Sequence, residues 1–236
     1  MRELILNFHG LGEPHPRVDD EEKLCWWSVS SFVRLLDLIS ERPIGESPDI
    51  LLTFDDGNES DAVFALPALV KRGLKATFFI CAGRVGTAHY LDKSMIEELL
   101  SCSMGIGSHG MYHRDWCALD PKELDEEVVD ARRRIEDVTG RAVTKVAIPF
   151  GSYNRHVLSR LKREDWDCIY TSDRGTARRN DKIKPRETLY ADMQAGLRLS
   201  ELTREPRLDI RIRRQLARFY KRHAKGFAQF DRKTTS

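Results

Sequence analysis

The chain has 236 residues, of which 41% are hydrophobic and 32% charged, the balance of an ordinary globular protein. This length suits one large domain, such as an α/β barrel, or two small ones. No run of 18 apolar residues occurs, so the sequence predicts no transmembrane helix.

The first residues and the cysteines bear on the cellular compartment. The apolar run before His9 is too short for a signal peptide, and Glu3 is wrongly placed for one, so we expect a cytoplasmic protein. Its five cysteines are scattered, odd in number and free of any Cys-x-x-Cys pair. This pattern indicates reduced thiols rather than disulfides or a thiolate zinc site.

Charge is distributed unevenly along the chain. The formal net charge is only +2, but residues 197–236 alone sum to +8 and the preceding residues to about −6. The sequence therefore predicts two units, a body over residues 1–196 and a basic extension over residues 197–236.

Strands and helices are predicted to alternate along the body. Predicted strands cover residues 4–8, the residues before Asp55, and residues 76–81, 105–108, 143–148 and 168–171. Predicted helices cover residues 62–71, 94–100, 121–138 and 154–162, and an earlier one begins with Ser30 as its N-cap. Such alternation predicts a parallel sheet, open or closed into a barrel.

Polar and turn residues follow several of these strands. His9, Asp55, His109 and Phe150 each come just after a predicted strand. Because the carboxyl ends of parallel strands carry the chemistry in both kinds of sheet, we expect these residues to lie at one site.

The segment of residues 51–57 combines a buried strand with two adjacent carboxylates, Asp55 and Asp56, and a glycine. Neighbouring carboxylates repel each other unless something compensates their charge. A divalent metal would do so by binding one carboxylate and leaving the other as a base. The alternative is an ordinary Asp-Asp-Gly turn after a core strand.

Two histidines, His109 and His113, stand four residues apart in a glycine-containing segment. Their side chains can reach one ion, although such a pair also occurs as surface or core histidines. With Asp56 they form a two-histidine, one-aspartate set, which leaves coordination positions for water and substrate.

These motifs together resemble the polysaccharide deacetylases, the carbohydrate esterases that share the NodB homology domain. Thr-Phe-Asp-Asp-Gly matches the first motif of that family, and the resemblance implies Asp55 as the base and Asp56 as a metal ligand. The His-x-x-x-His pair matches the second motif, which implies His109 and His113 as the other ligands. The family has a distorted (β/α)7-like barrel, so this is the α/β fold that we expect.

The third motif is a proline–aromatic–glycine turn, which Pro149, Phe150 and Gly151 resemble. The resemblance implies that Pro149 and Phe150 line the substrate groove and that the Phe150 N–H stabilises the oxyanion. Two departures stand out. Gly110 replaces the usual Ser or Thr, which predicts a less rigid metal loop. Ala147 replaces an arginine, which predicts that the base lacks its charge partner.

The general acid of the family is a histidine in a Leu-x-x-His motif near the C-terminus. Here that pattern stands at the N-terminus, as Leu6 to His9. Some exopolysaccharide-type deacetylases resemble circular permutations in which this strand has moved to the front. Since the first and last strands of a closed barrel are neighbours, the move keeps the geometry, and we expect His9 to be the acid.

The resemblance implies metal-dependent hydrolysis of the N-acetyl group of an amino-sugar glycan or glycoconjugate. Zinc is the expected metal, and Co²⁺, Ni²⁺ or Fe²⁺ would also suit these ligands. One alternative is an amidase that opens a cyclic imide or another small amide. Another is a catalytically inactive carbohydrate-binding homologue, since Gly110 and Ala147 depart from the family pattern. The sequence leaves the oligomeric state open.

The basic extension has apolar residues at the spacing of one helical face. They are Leu208, Ile212, Leu216, Phe219, Tyr220 and Phe227, with seven Lys or Arg between Arg211 and Lys225. Such a helix suits peripheral contact with an anionic membrane surface, and it also suits docking on the acidic body. No recognition fold accompanies the basic residues, so we expect no nucleic acid partner.

Overall fold

The computed structural model describes residues 2–191, 195–204 and 206–223. Nine strands occur in these ranges. They are Arg2–Phe8 (β1), Asp49–Phe54 (β2), Ala76–Ile80 (β3), Gly105–Ser108 (β4), Lys145–Ala147 (β5), Cys168–Thr171 (β6), Thr176–Arg178 (β7), Ile183–Pro185 (β8) and Glu187–Thr188 (β9). The strands β4 and β6 have the predicted bounds, and β1, β2, β3 and β5 lie where strands were predicted.

Helices connect these strands. They are Asp20–Lys23 (α1), Val29–Ser40 (α2), Leu66–Lys71 (α3), Lys93–Ser101 (α4), Pro121–Asp125 (α5), Ala131–Thr139 (α6), Arg155–Lys162 (α7), Ala195–Thr203 (α8) and Leu208–His223 (α9). A π-helical turn over Glu126–Asp130 joins α5 to α6. The two therefore form the single long helix that the sequence predicts, with a capping box at Asp120 and a left-handed Gly140 at its end.

The parallel strands close into the predicted barrel. Strands β1 to β6 pair in order, and β8 pairs in parallel with β6 while β9 pairs in parallel with β1. One residue, Arg186, separates β8 from β9, so these two short strands fill the seventh parallel position and close the barrel. A buried ion pair between Lys184 and Glu3, at 2.6 Å, links β8 to β1. Strand β7 adds an antiparallel partner to β1.

Two details differ from the sequence prediction. The N-cap of α2 is Ser28, whose hydroxyl accepts from the Ser31 N–H, so the prediction of Ser30 is wrong. Ser28 has the extended backbone that a cap requires, whereas Ser30 is already helical. Strands β7, β8 and β9 were not predicted because each has only two or three residues, too few for an alternating pattern.

One large apolar core fills the space between the sheet and the helices and includes Phe8, Phe54 and Phe78. Helix α8 packs on α2, and α9 lies against the outside of the barrel beside α7. No described helix combines the length and the apolar character that crossing a membrane requires. The division at residue 196 stays a prediction, and Lys225 and Phe227 lie outside the described residues.

Candidate metal centre and active site

Asp55 and Asp56 directly follow β2, and both side chains are buried at the carboxyl end of the barrel. Asp56 has φ +75°, a left-handed conformation that non-glycine residues seldom adopt. His113 (φ +58°) and Phe150 (φ +57°) share this conformation. Strained backbone of this kind typically clusters at functional sites.

The two histidines approach Asp56 as the sequence predicts. The Nε2 atom of His113 lies 3.4 Å from Oδ1 of Asp56, and the Nε2 atom of His109 lies 3.9 Å from the same oxygen. His109 Nδ1 lies 2.9 Å from the carbonyl oxygen of Ala147 in β5. If Nδ1 carries the proton and donates it there, Nε2 keeps its lone pair toward Asp56. Burial lowers the pKa of both imidazoles, which favours the neutral form that binds metals.

These three side chains fit a divalent metal ion. Their candidate ligand atoms all lie within 4.8 Å of one another. Tetrahedral ligands with metal bonds of 2.0–2.1 Å lie roughly 3.4 Å apart, so these ligand atoms would move closer together to bind one ion. The second carboxylate oxygen of Asp56, Oδ2, is buried without a hydrogen-bond partner among the described residues. A buried carboxylate with an unsatisfied oxygen is what a cation would complete.

Asp55 is held by an arginine that the sequence analysis did not find. Both Nη atoms of Arg186 donate to the Asp55 carboxylate at 2.7 Å, and Arg186 is fully buried. Asn7 also donates to Asp55, at 2.9 Å, and accepts from Arg186 at 2.7 Å. Burial alone would raise the pKa of Asp55, but the Arg186 guanidinium, together with His109 and His9, holds the pKa well below its usual range.

The prediction that the base lacks a charge partner is therefore wrong. Arg186, at the junction of β8 and β9, is the charge partner of Asp55 in place of an arginine at position 147. Little in the sequence points to this residue, because Arg186 is 131 residues from Asp55 in a polar stretch without an apolar run.

The metal loop is braced by Glu127, which is buried in the π-helical turn. Its carboxylate accepts from the main-chain N–H groups of Met111 (2.8 Å) and Tyr112 (3.1 Å). It also accepts from the Trp116 indole at 3.3 Å and pairs with Arg114 at 2.8 Å. These four donors hold the loop without the Ser or Thr of the family pattern, and the expectation of a less rigid loop stays a prediction.

Gly110 makes room for that carboxylate. It has φ +86°, and a Cβ atom there would collide with Oε2 of Glu127. The glycine and the buried glutamate are thus two parts of one arrangement. Glu127 therefore cannot keep its present position if residue 110 carries a side chain.

Gly110→Ser, which restores the residue typical of the family, is expected to destabilise this protein. Left-handed backbone costs a residue with a side chain about 1–2 kcal/mol, and displacing Glu127 adds to it. Gly45→Ser is the matched control, because Gly45 has φ +84° with nothing within 4 Å of the added Cβ. Thermal unfolding of both variants isolates the collision. Equal unfolding temperatures would show that Glu127 does not depend on Gly110.

One cavity of about 480 Å³ is lined by His9, Asp55, Phe150 and the two histidines of the metal set. The ring of Phe150 packs on His113 at 4.4 Å between centroids, and Pro149 is buried behind it. Burial lowers the pKa of His9, and its Nδ1 has no hydrogen-bond partner among the described residues. The fold thus brings every predicted site residue to one end of the barrel, and their individual roles stay predictions.

A parallel barrel with an Asp–His–His set beside a second, ion-paired carboxylate is an arrangement that suits a metal-dependent hydrolase. The family model described as "Polysaccharide deacetylase" matches residues 44–168. This match covers more than half of the chain, which therefore belongs to the polysaccharide deacetylase family. The family resemblance in the sequence is confirmed.

Individual relatives agree with the family. YxkH of Bacillus subtilis is 28% identical over 186 residues, which are 75% of this chain and 66% of that protein. The peptidoglycan-N-acetylglucosamine deacetylase PgdA of Listeria monocytogenes is 26% identical over 67% of this chain, but over only 34% of its own length. The deacetylase PplD of Streptococcus pyogenes, in complex with acetate, shares the fold: the TM-score is 0.73 at 21% identity, covering 87% of this chain and 99% of that one.

Proposed function

We propose that this chain is a metal-dependent deacetylase that hydrolyses the N-acetyl group of an amino sugar in a glycan or glycoconjugate and releases acetate. One observation carries the proposal: the ionised, arginine-bound Asp55 lines the same cavity as His109 and His113, whose ligand atoms cluster with that of Asp56. PgdA, whose name states an N-acetylglucosamine substrate, supports the substrate class.

Each residue has a role that its position supports. When bound at Asp56, His109 and His113, a divalent ion, zinc by default, would polarise the substrate carbonyl and acidify the attacking water. Asp55, fixed by Arg186 and Asn7, takes the proton from that water.

The groove and the general acid complete the assignment. The Phe150 N–H stabilises the oxyanion, and Pro149 fixes the turn that presents it. His9 protonates the leaving amine. Because burial lowers its pKa, the protonated form of His9 is a stronger acid than a histidine in water. Membrane contact through the C-terminal helix and a cytoplasmic location stay predictions.

Acetate release tests the function directly. The metal-loaded protein is incubated with a panel of N-acetylated sugars, as polymers, oligomers and nucleotide-linked sugars, and with a cyclic imide as the control substrate. We expect acetate from one or more sugars. Ring opening of the imide without acetate would indicate an amidase instead, and inactivity on both with metal bound would indicate a binding protein.

His9→Ala is expected to lower turnover about 10²–10⁴-fold, because loss of a general acid typically costs this much. The metal content should not change, since His9 is not part of the ligand set. A substrate analogue with a good leaving group needs less protonation, so the turnover of His9→Ala on this analogue should fall much less. Equal losses on both substrates, or a loss of metal, would assign His9 another role.

A further inference from the structure

A second cavity, of about 510 Å³, lies where α9 meets the edge of the barrel, and its lining is strongly basic. Five arginines contribute to it: Arg2, Arg178, Arg211, Arg214 and Arg218. A single carboxylate, that of Asp181, is present in the same lining. This is a much higher density of positive charge than a surface of mixed charge carries.

The arginines come from three parts of the chain. Arg2 begins β1 and Arg178 ends β7, two neighbouring antiparallel strands whose register pairs these residues. Arg211, Arg214 and Arg218 follow one another at spacings of three and four, which places them on one face of α9. The helix therefore docks with its basic face toward the barrel and completes the cavity.

Few carboxylates neutralise this charge. Arg214 lies 3.4 Å from Glu187, and Asp181 accepts a hydrogen bond from the Arg178 main chain. Within the described ranges, no carboxylate forms an ion pair with the side chains of Arg178, Arg211 or Arg218. The Nε atom of Arg218 is also buried without a hydrogen-bond partner there. Guanidinium groups held together in this way repel one another unless an anion joins them.

We propose that this cavity binds a phosphate group. Guanidinium groups match phosphate oxygens with paired, charge-assisted hydrogen bonds, and several can share one phosphate. A volume of about 510 Å³ also leaves room for part of the molecule that carries the phosphate.

The position of the cavity relates it to the active site. Ser172 and Arg174 line the active-site cavity, whereas the adjacent Gly175 lines the basic one. Arg218 donates to the carbonyl of Arg174 at 3.3 Å, so α9 contacts the loop that divides the two. A bound phosphate would thus anchor its carrier one loop away from the reacting group.

The outer face of α9 favours a lipid as the carrier. Its exposed apolar side chains are Leu208 (69% exposed), Ile212 (49%), Leu216 (63%), Phe219 (62%) and Tyr220 (50%). An apolar face directed away from the body beside a phosphate site suits an anionic membrane surface. A soluble phosphate ester would account for the cavity alone, and the experiment separates these two sources.

Calorimetric titration of the full chain with inorganic phosphate and with pyrophosphate tests the cavity. We expect saturable binding that weakens about a hundredfold in Arg178→Ala/Arg211→Ala, since a hydrogen bond to a charged group is worth about tenfold or more. Both arginines are exposed, so the variant should fold, and thermal unfolding checks this. Arg213→Ala is the matched control, because Arg213 is exposed on the same helix but does not line the cavity.

Vesicles distinguish the sources of the phosphate. We expect co-sedimentation with vesicles that contain phosphatidic acid but not with phosphatidylcholine alone. Loss of that binding in both Arg178→Ala/Arg211→Ala and Leu216→Ser/Phe219→Ser would support a lipid phosphate. Phosphate binding without vesicle binding would support a soluble one. The proposal is overturned if neither phosphate nor pyrophosphate binds, or if Arg213→Ala weakens binding as much as the double variant does.

Discussion

His113→Ala is expected to abolish metal binding and, with it, acetate release. The substitution removes one of the three proposed ligand side chains, and the two that remain, Asp56 and His109, are too few to hold a catalytic ion tightly. Loss of a residue that merely supports a ligand already costs 10–100-fold in affinity, so loss of the ligand itself should exceed about a hundredfold. Elemental analysis after gel filtration measures the metal content.

His156→Ala is the matched control for that variant. His156 is exposed on α7. It does not line the active-site cavity and is not part of the proposed ligand set. It should keep both metal and activity. A His113→Ala protein that retains stoichiometric metal would refute the ligand assignment, and partial rescue of activity by excess Zn²⁺ or Co²⁺ would support it.

Asp55→Asn is expected to lower activity by about 10²–10⁴-fold while the metal content stays unchanged, because a general base is lost and no ligand is. The amide has almost the same shape as the carboxylate but cannot accept the proton. Turnover on the best sugar of the panel, measured with metal content on the same sample, checks this. A variant that keeps half of its activity would exclude Asp55 as the base.

The same substitution also breaks the ion pair with Arg186, so a control is needed for the lowered stability of the Asp55→Asn variant. Removing one partner of a buried pair costs about 3–5 kcal/mol, because the other charge stays buried and uncompensated. Arg186→Met breaks the same pair but leaves the carboxylate in place. If both variants unfold at similarly lowered temperatures and Asp55→Asn is much less active, the difference reports the base and not the fold.

The metal set could be predicted from the sequence because its members lie in short motifs that follow strands. Asp55 is adjacent to Asp56, and His113 is four residues after His109. Alternation of strands and helices predicted the barrel for the same reason, since each element carries its own local pattern.

The supporting residues could not be predicted, because they depend on contacts between distant segments. Arg186 reaches Asp55 across 131 residues, and Glu127 reaches the metal loop from a helix in which it is one acid among many. Arg186 and Glu127 each take over from a family residue that this sequence lacks, at positions 147 and 110. Only the packing of the barrel shows these substitutes. The periodicity of the basic extension predicted its helix and allowed docking on the acidic body, but it did not identify Arg214, Arg218 and Lys221 as the residues that make the contact.

The break between β8 and β9 has a consequence for anyone who trims this protein. Residues 44–168, the recognisable part of the family, contain every proposed metal ligand. They include neither Asn7 and His9 on one side nor Arg186 on the other. A fragment cut to these bounds would keep the family motifs. It would lose the strands that close the barrel, and with them the arginine that keeps Asp55 ionised. Pairing of β1 with β9 is thus a condition for the proposed chemistry, because it brings Asn7, His9 and Arg186 to Asp55.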